Sequence, residues 1–206
     1  IRLDNTSAYA ILFFATLAAG LVALPASSQL TDREALFLLD DSGAAVLASA
    51  VTLAPESTGK APIHLTPADV ARMMREGPRI DYAPTHAETP AFLIYTSGTT
   101  ANPKGVLHAQ RAALGRRPLY QGWYGISAND RVLHAGAFNW TFTLGVGLTD
   151  PWANGATALI YTGEKDPALW PRLIDLAQAT LFAGVPSLFR QILKYAELSP
   201  AAMPTL

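Results

Sequence analysis

The chain is 206 residues long and half hydrophobic, with a mean hydropathy of +0.20, which suits one sizeable folded domain and excludes a disordered segment. Its formal charge of −1 gives no reason to expect nucleic acid or an anionic membrane surface as a partner. The absence of cysteine rules out disulfides and thiolate metal sites and fits a reducing, cytoplasmic setting, and the four histidines show no metal-ligand spacing.

The chain opens on Ile1 inside an amphipathic pattern rather than on Met, so a fragment of a longer protein is expected. Ala8 to Leu24, A-Y-A-I-L-F-F-A-T-L-A-A-G-L-V-A-L, is at the lower edge of what spans a bilayer, and Ala15, Ala18, Ala19 and Gly20 dilute its hydrophobicity. No basic leader precedes it beyond Arg2, which Asp4 offsets. The favoured reading is a buried helix to about Ala19, a stop at Gly20 and a strand from Leu21 to Leu24 closed by Pro25, with no membrane insertion. Thr31 and Glu34 have the spacing of a capping box. Ala35, Leu36 and Leu39 give the helix that follows an apolar face, Gly43 ends it, and Ala44 to Leu47 resumes as strand. Such alternation implies a largely parallel sheet. Ala54 to Thr89, rich in proline and charge, reads as surface connection apart from a short helix near Pro67 to Arg75.

Ala91 to Tyr95 reads as a short buried strand, after which the chain breaks into T-S-G-T-T-A-N-P-K-G. Gly98 and Gly105 permit backbone conformations closed to other residues, so this loop can turn N–H groups toward an anion. Thr96, Ser97, Thr99 and Thr100 add hydroxyl donors, and Lys104 adds a mobile positive charge able to follow a phosphate through a reaction. A Walker A loop is excluded, because counting from Gly98 puts Pro103 where its second glycine belongs. Gly105 to His108 then reads as strand and Arg111 to about Trp123 as helix, with His108 structural. Further on, Thr180 to Arg190 reads as an apolar strand ending at Gly184-Val185-Pro186, with Ser187 as the N-cap of a helix.

The string I-Y-T-S-G-T-T-A-N-P-K-G resembles the [YF]-T-S-G-[ST]-T-G-x-P-K-G signature of the adenylate-forming superfamily, which includes acyl-CoA synthetases, luciferases and peptide-synthetase adenylation domains. One departure is Ala101, where the family usually has a third glycine, which implies a slightly stiffer loop. The helix, V-A-L-P and T-D-R-E-A-L-F-L-L-D-D-S-G-A-A-V-L-A succession is similar to the early half of the family's large domain. S-A-N-D-R-V-L-H resembles the turn and strand before the acyl-site helix, and A-G-A-F-N-W-T-F the motif that opens that helix. Trp140 falls where many members carry an aromatic or histidine bordering the carboxylate substrate. The run from Asn139 to Thr157 most resembles the acyl-CoA synthetase branch.

The resemblance implies an α/β fold, with residues 1–206 as part of the large AMP-binding domain of an adenylate-forming enzyme: largely parallel sheets with helices packed on them, and the small C-terminal domain absent. It implies that a carboxylic acid is joined to AMP from ATP with Mg²⁺, then passed to coenzyme A. Lys104 is the catalytic candidate, and Thr96, Ser97, Gly98, Thr99, Thr100 and Lys104 the nucleotide-binding candidates. Phe138, Asn139 and Trp140, with Gly184, Val185 and Pro186, are the substrate-binding candidates, although an aromatic pair at a helix start is also ordinary core packing. No residue is assigned to a metal. Neither His108 nor His134 is assigned as a base, because a carboxylate is already a nucleophile and needs orientation and neutralised phosphate charge instead. Alternatives are transfer to a carrier-protein thiol and a non-catalytic nucleotide-binding remnant. Since the family's metal, adenine and adenylation-lysine motifs lie beyond Leu206, these residues alone are not expected to turn over.

Overall fold

The computed structural model describes residues 1–53, 61–96, 103–198 and 202–206, which gather into two compact units, Ile1–Ala112 and Ala113–Leu206. The first begins with α1 (Ser7–Ala18), capped by the Thr6 hydroxyl, which accepts from the Tyr9 N–H at 3.3 Å. α1 buries Tyr9, Ala10 and Phe13. No helix among the described residues is long and apolar enough to cross a membrane. Gly20 turns the chain at φ 70°, as expected of a helix stop, but the strand expected over Leu21 to Leu24 does not form. Only Ala23 bridges in parallel to Phe92, donating to the Ala91 carbonyl at 2.9 Å and accepting from the Leu93 N–H at 2.8 Å. Pro25 supplies no N–H with which a ladder could continue.

α2 (Asp32–Ser42) carries the expected capping box, with Thr31 and Glu34 bonded reciprocally, and it ends at Gly43 in the left-handed region, φ 62°. Ala35 and Leu38 are its buried residues, while Leu36 and Leu39 pack half-buried beside them against Leu47 and Leu53. β1 (Val46–Ala48) starts two residues later than expected and pairs in parallel with β2 (Ile63–Leu65). β2 corrects the reading of this stretch as connection: I-H-L is too short to display a period, and its pairing with β1 defines it. α3 (Pro67–Glu76) follows, with a second capping box from Thr66 and Asp69 and proline in its first turn. β3 (Pro90–Thr96) and β4 (Lys104–Ala109) pair antiparallel, in register from Phe92↔His108 to Thr96↔Lys104.

The single helix expected from Arg111 to Trp123 is two short ones, α4 (Ala112–Gly115) and α5 (Arg117–Gly122). Pro118 explains the break, because it has no N–H to continue the ladder and it restricts Arg117 before it. β5 (Arg131–His134) is the central strand of a parallel sheet, between β6 (Thr157–Leu159) and β7 (Leu181–Ala183). The crossover from β5 to β6 is α6 (Thr141–Leu144), one π-turn (Gly145–Thr149) and α7 (Asp150–Ala153). A 3₁₀ turn (Pro167–Leu169) and α8 (Trp170–Leu176) lead to β7, and α9 (Pro186–Tyr195) follows. Val185, not Ser187, is the N-cap of α9. Pro186 already takes the helical φ as the first residue, which leaves Ser187 inside the first turn.

The architecture is thus α/β, with two of the three sheets among the described residues parallel. Adjacent β5 residues serve two cores: Leu133 packs with Trp170, Ile174, Ala179 and Ile192, and Val132 packs with Ile126 and Ala156. Apolar burial on both faces is what a parallel strand covered by helices requires.

Candidate functional site

β3 and β4 hold the two ends of the phosphate-loop candidate. Thr96 and Lys104 are opposed as the last ladder pair, and Lys104 is exposed and makes no ion pair among the described residues. Ser97, Gly98, Thr99 and Thr100, with Ala101, lie outside the described residues. The strand behind the loop is tied down by Tyr95, whose hydroxyl donates to Asp41 Oδ2 at 2.6 Å and whose ring meets Phe37 at 6.5 Å. Burial, then the bond to Asp41, pushes the Tyr95 phenol pKa up, so it stays protonated and donating. His108 stacks flat on Phe92, ring centroids 4.5 Å apart, and burial lowers its pKa, which marks a packing residue.

The second unit contains an apolar cavity of about 240 Å³. β7 and its successor, Leu181 to Gly184, form one wall with Val132 of β5, and Phe189 of α9 adds to it. Trp123 and Tyr124, just after α5, form a second wall, and Phe142 of α6 with Val146 of the π-turn form a third. No lining side chain carries a charge. The cavity runs along β7 from Leu181 to Gly184, just past the strand's carboxyl end, the end at which α/β sheets commonly hold ligands.

Of the six substrate-site candidates, the structure puts Gly184 on this wall, with Val185 and Pro186 immediately following as the N-cap and first residue of α9. Phe138 is fully buried and packs on His134 at 4.8 Å. Asn139 is half-buried, and Trp140, the N-cap of α6, is 56% exposed; neither they nor Phe138 line the cavity. Phe142 and Val146, further along the chain from Trp140, stand on the wall instead. The sequence reading missed Trp123, Tyr124 and a buried network behind them. Asp150 is fully buried, and its carboxylate accepts from Arg116 Nε at 2.6 Å and Nη2 at 2.5 Å, and from the Tyr124 hydroxyl. The bond to Asp150 raises the Arg116 pKa, while burial and then Asp150 raise that of Tyr124. One sequence signal pointed there: Asp150 is the only Asp, Glu, Lys or Arg between Arg131 and Glu164.

His134 ends β5 and is buried. Its Nδ1 lies 3.2 Å from the Gly136 carbonyl, which can only accept, so Nδ1 carries the proton. Nε2 has no partner among the described residues, and burial lowers the pKa from 6.5 to about 4. The imidazole is thus neutral and packed inward. No group of three or more His, Cys, Asp or Glu side chains among the described residues could hold a metal ion. The Mg²⁺ that the resemblance implies is assigned no ligand among the described residues, and no step is routed through it.

A β-hairpin whose connecting sequence is rich in hydroxyls and reaches Lys104 at the start of β4, carried by the same chain as a parallel sheet with an apolar pocket, fits an α/β protein of the adenylate-forming class. The chain belongs to the AMP-binding enzyme family, whose model matches residues 1–205. It is 30% identical over 194 residues to the benzoate–CoA ligase of Thauera aromatica, covering 88% of this chain and 37% of that protein. A plipastatin synthase of Bacillus subtilis is 28% identical over 186 residues, 88% of this chain and 5% of the synthase. A crystal structure of a benzoate CoA ligase from Burkholderia xenovorans LB400 superposes with a TM-score of 0.80 at 29% identity, covering 97% of this chain and 41% of that one. The chain thus spans well under half the length of these relatives.

Proposed function

We propose that the protein carrying this chain activates a carboxylic acid with ATP, as acyl-adenylate and pyrophosphate, and then transfers the acyl group to coenzyme A. The observation that carries the reading is the T-S-G-T-T-A-N-P-K-G loop strung between β3 and β4, with Thr96 and Lys104 opposed at its base. Hydroxyls of Thr96, Ser97, Thr99 and Thr100 and the backbone at Gly98 donate to phosphate oxygens, and Lys104 follows the charge that develops as pyrophosphate leaves. The substrate carboxylate attacks the α-phosphorus without a base, which suits a chain whose two candidate histidines are occupied in packing.

The acid's body occupies the cavity bordered by Gly184, with Val185 and Pro186 shaping its rim and Phe138, Asn139 and Trp140 at the entrance to α6. A cavity of about 150 Å³ holds benzene, so about 240 Å³ suits one substituted aromatic ring, a size supported by the likeness to benzoate–CoA ligase. The likeness to a plipastatin synthase supports a second reading, in which the acyl acceptor is a carrier-protein thiol.

The test is acid-dependent exchange of pyrophosphate into ATP by the full reading frame, followed by detection of the CoA thioester. Each charge-assisted contact contributes about 1.5–3 kcal/mol, so Lys104→Ala and Gly98→Val are expected to lose at least about tenfold. Wild-type turnover in both variants would remove the loop from the mechanism, and no exchange with any acid would leave a nucleotide-binding remnant.

A further inference from the structure

Asp150 is the fully buried charge of the second unit, and nothing in the chemistry above uses it. Besides Arg116 and Tyr124, the Thr149 hydroxyl lies 3.5 Å from Asp150 Oδ1, and the Asp150 backbone carbonyl accepts from Asn154 Nδ2 at 2.8 Å. A buried ion pair of this kind is weak support for stability, since the desolvation of both charges offsets their attraction; what such networks can supply is one defined geometry. Here the geometry in question is that of the cavity.

Arg116 comes from the break between α4 and α5, and Tyr124 from just beyond α5. Asp150 immediately follows the π-turn that carries Val146. The Arg116 guanidinium also lies against the backbone of Gly145, the first residue of that turn, where an added Cβ would overlap it. Two parts of the cavity lining, Trp123 with Tyr124 and Phe142 with Val146, are therefore joined through hydrogen bonds to residues that do not line the cavity. Their rings also meet directly, Trp123 with Phe142 at 6.3 Å. Neither Arg116 nor Asp150 lines the cavity. A π-turn is an uncommon single-turn insertion that recurs at functional sites, and Asp150 directly follows this one.

We propose that Asp150 is a positioning residue for the acid pocket: through Arg116 and Tyr124 it locks the α5 wall to the π-turn wall at one separation, and so sets which acyl bodies fit. This rests on the reading of the cavity as the acid site. Tyr124→Phe removes one hydroxyl and keeps the ring, and Asp150→Asn keeps the shape and removes the charge. Hydrophobic pockets discriminate by roughly 10- to 200-fold per methylene-sized change. In the full reading frame, wild type is expected to prefer benzoate to 4-ethylbenzoate, in kcat/KM for exchange and in quenching of Trp123 emission, isolated by difference from Trp123→Phe. Both variants should narrow that preference at least about fivefold, with KM for ATP unchanged.

Phe142→Ala, which removes wall area directly, tests the underlying reading. If it alters the acid profile while Tyr124→Phe and Asp150→Asn leave the profile at wild type and lower only the melting temperature, the positioning role is overturned and the acid-site reading survives. Should Asp150→Asn fail to fold, Tyr124→Phe alone decides. An unchanged profile in all three, a wild type without preference, or no binding of either acid overturns both.

Discussion

His134 provides a test of the second unit's packing that needs no substrate. Its imidazole is buried with Nε2 unpaired among the described residues, and its pKa falls from 6.5 to about 4, through burial first, opposed by the bond to the Gly136 carbonyl, with the Lys165 charge adding last. Between those values the unfolded chain binds a proton that the folded chain refuses, so stability rises with pH across this window. The contribution is fully present above about pH 6.5 and is lost as pH falls toward 4. At about 1.4 kcal/mol per pKa unit the whole effect is roughly 3 kcal/mol, of which about 2 is gone by pH 5. Urea unfolding at closely spaced pH values from 4.5 to 7.5 measures it against His134→Gln, whose amide can still donate toward Gly136. Wild type should lose about 2 kcal/mol more than the variant between pH 7 and pH 5. Parallel curves, or an imidazole that titrates by NMR near 6.5, would refute a desolvated His134. Asp130, held below the usual carboxylate range first by the Thr180 hydroxyl, loses its contribution below that window and does not mimic the result.

Three further outcomes follow from particular contacts. Gly147→Ala would place a Cβ 2.7 Å from the His134 ring, overpacking expected to cost about 1–3 kcal/mol by denaturant unfolding. At Gly43, with φ 62° and open space around it, alanine meets only backbone strain, so about 1–2 kcal/mol is expected, read as faster amide exchange at the end of α2. Trp140→Ala, at a position 56% exposed, should leave the melting temperature nearly unchanged while shifting preference toward bulkier acids; an unchanged acid profile would take Trp140 out of the substrate site.

The elements legible in the sequence were those whose signal is local. The A-F-L-I-Y run, the T-D-R-E capping box and the Gly43 stop each specify their conformation within a few residues, and each is found where it was expected. Those that were misplaced depend on distant partners. β2 is three residues long and exists because Val46 to Ala48 offers it a ladder, while the expected strand at Leu21 to Leu24 contracts to the one residue that meets Phe92. Nothing inside either segment encodes that difference, since both are short, mainly apolar runs next to proline.

The pocket shows the same division at the level of function. Resemblance drew attention to Trp140 at the mouth of the helix, whereas helical register after that residue turns Phe142 and Val146 onto the wall. Tyr124 and Arg116 reach Asp150 across 26 and 34 positions of chain, a convergence that no window of sequence contains. What the sequence did hold was an anomaly: a single carboxylate in a long uncharged stretch between Arg131 and Glu164, followed by proline. An ionisable group is seldom placed in such surroundings unless it is paired, because an unpaired buried charge costs several kcal/mol. A lone acid in an apolar run is therefore itself a statement that cations or hydroxyls converge on it from elsewhere in the fold. In this chain that convergence lies directly behind the pocket wall.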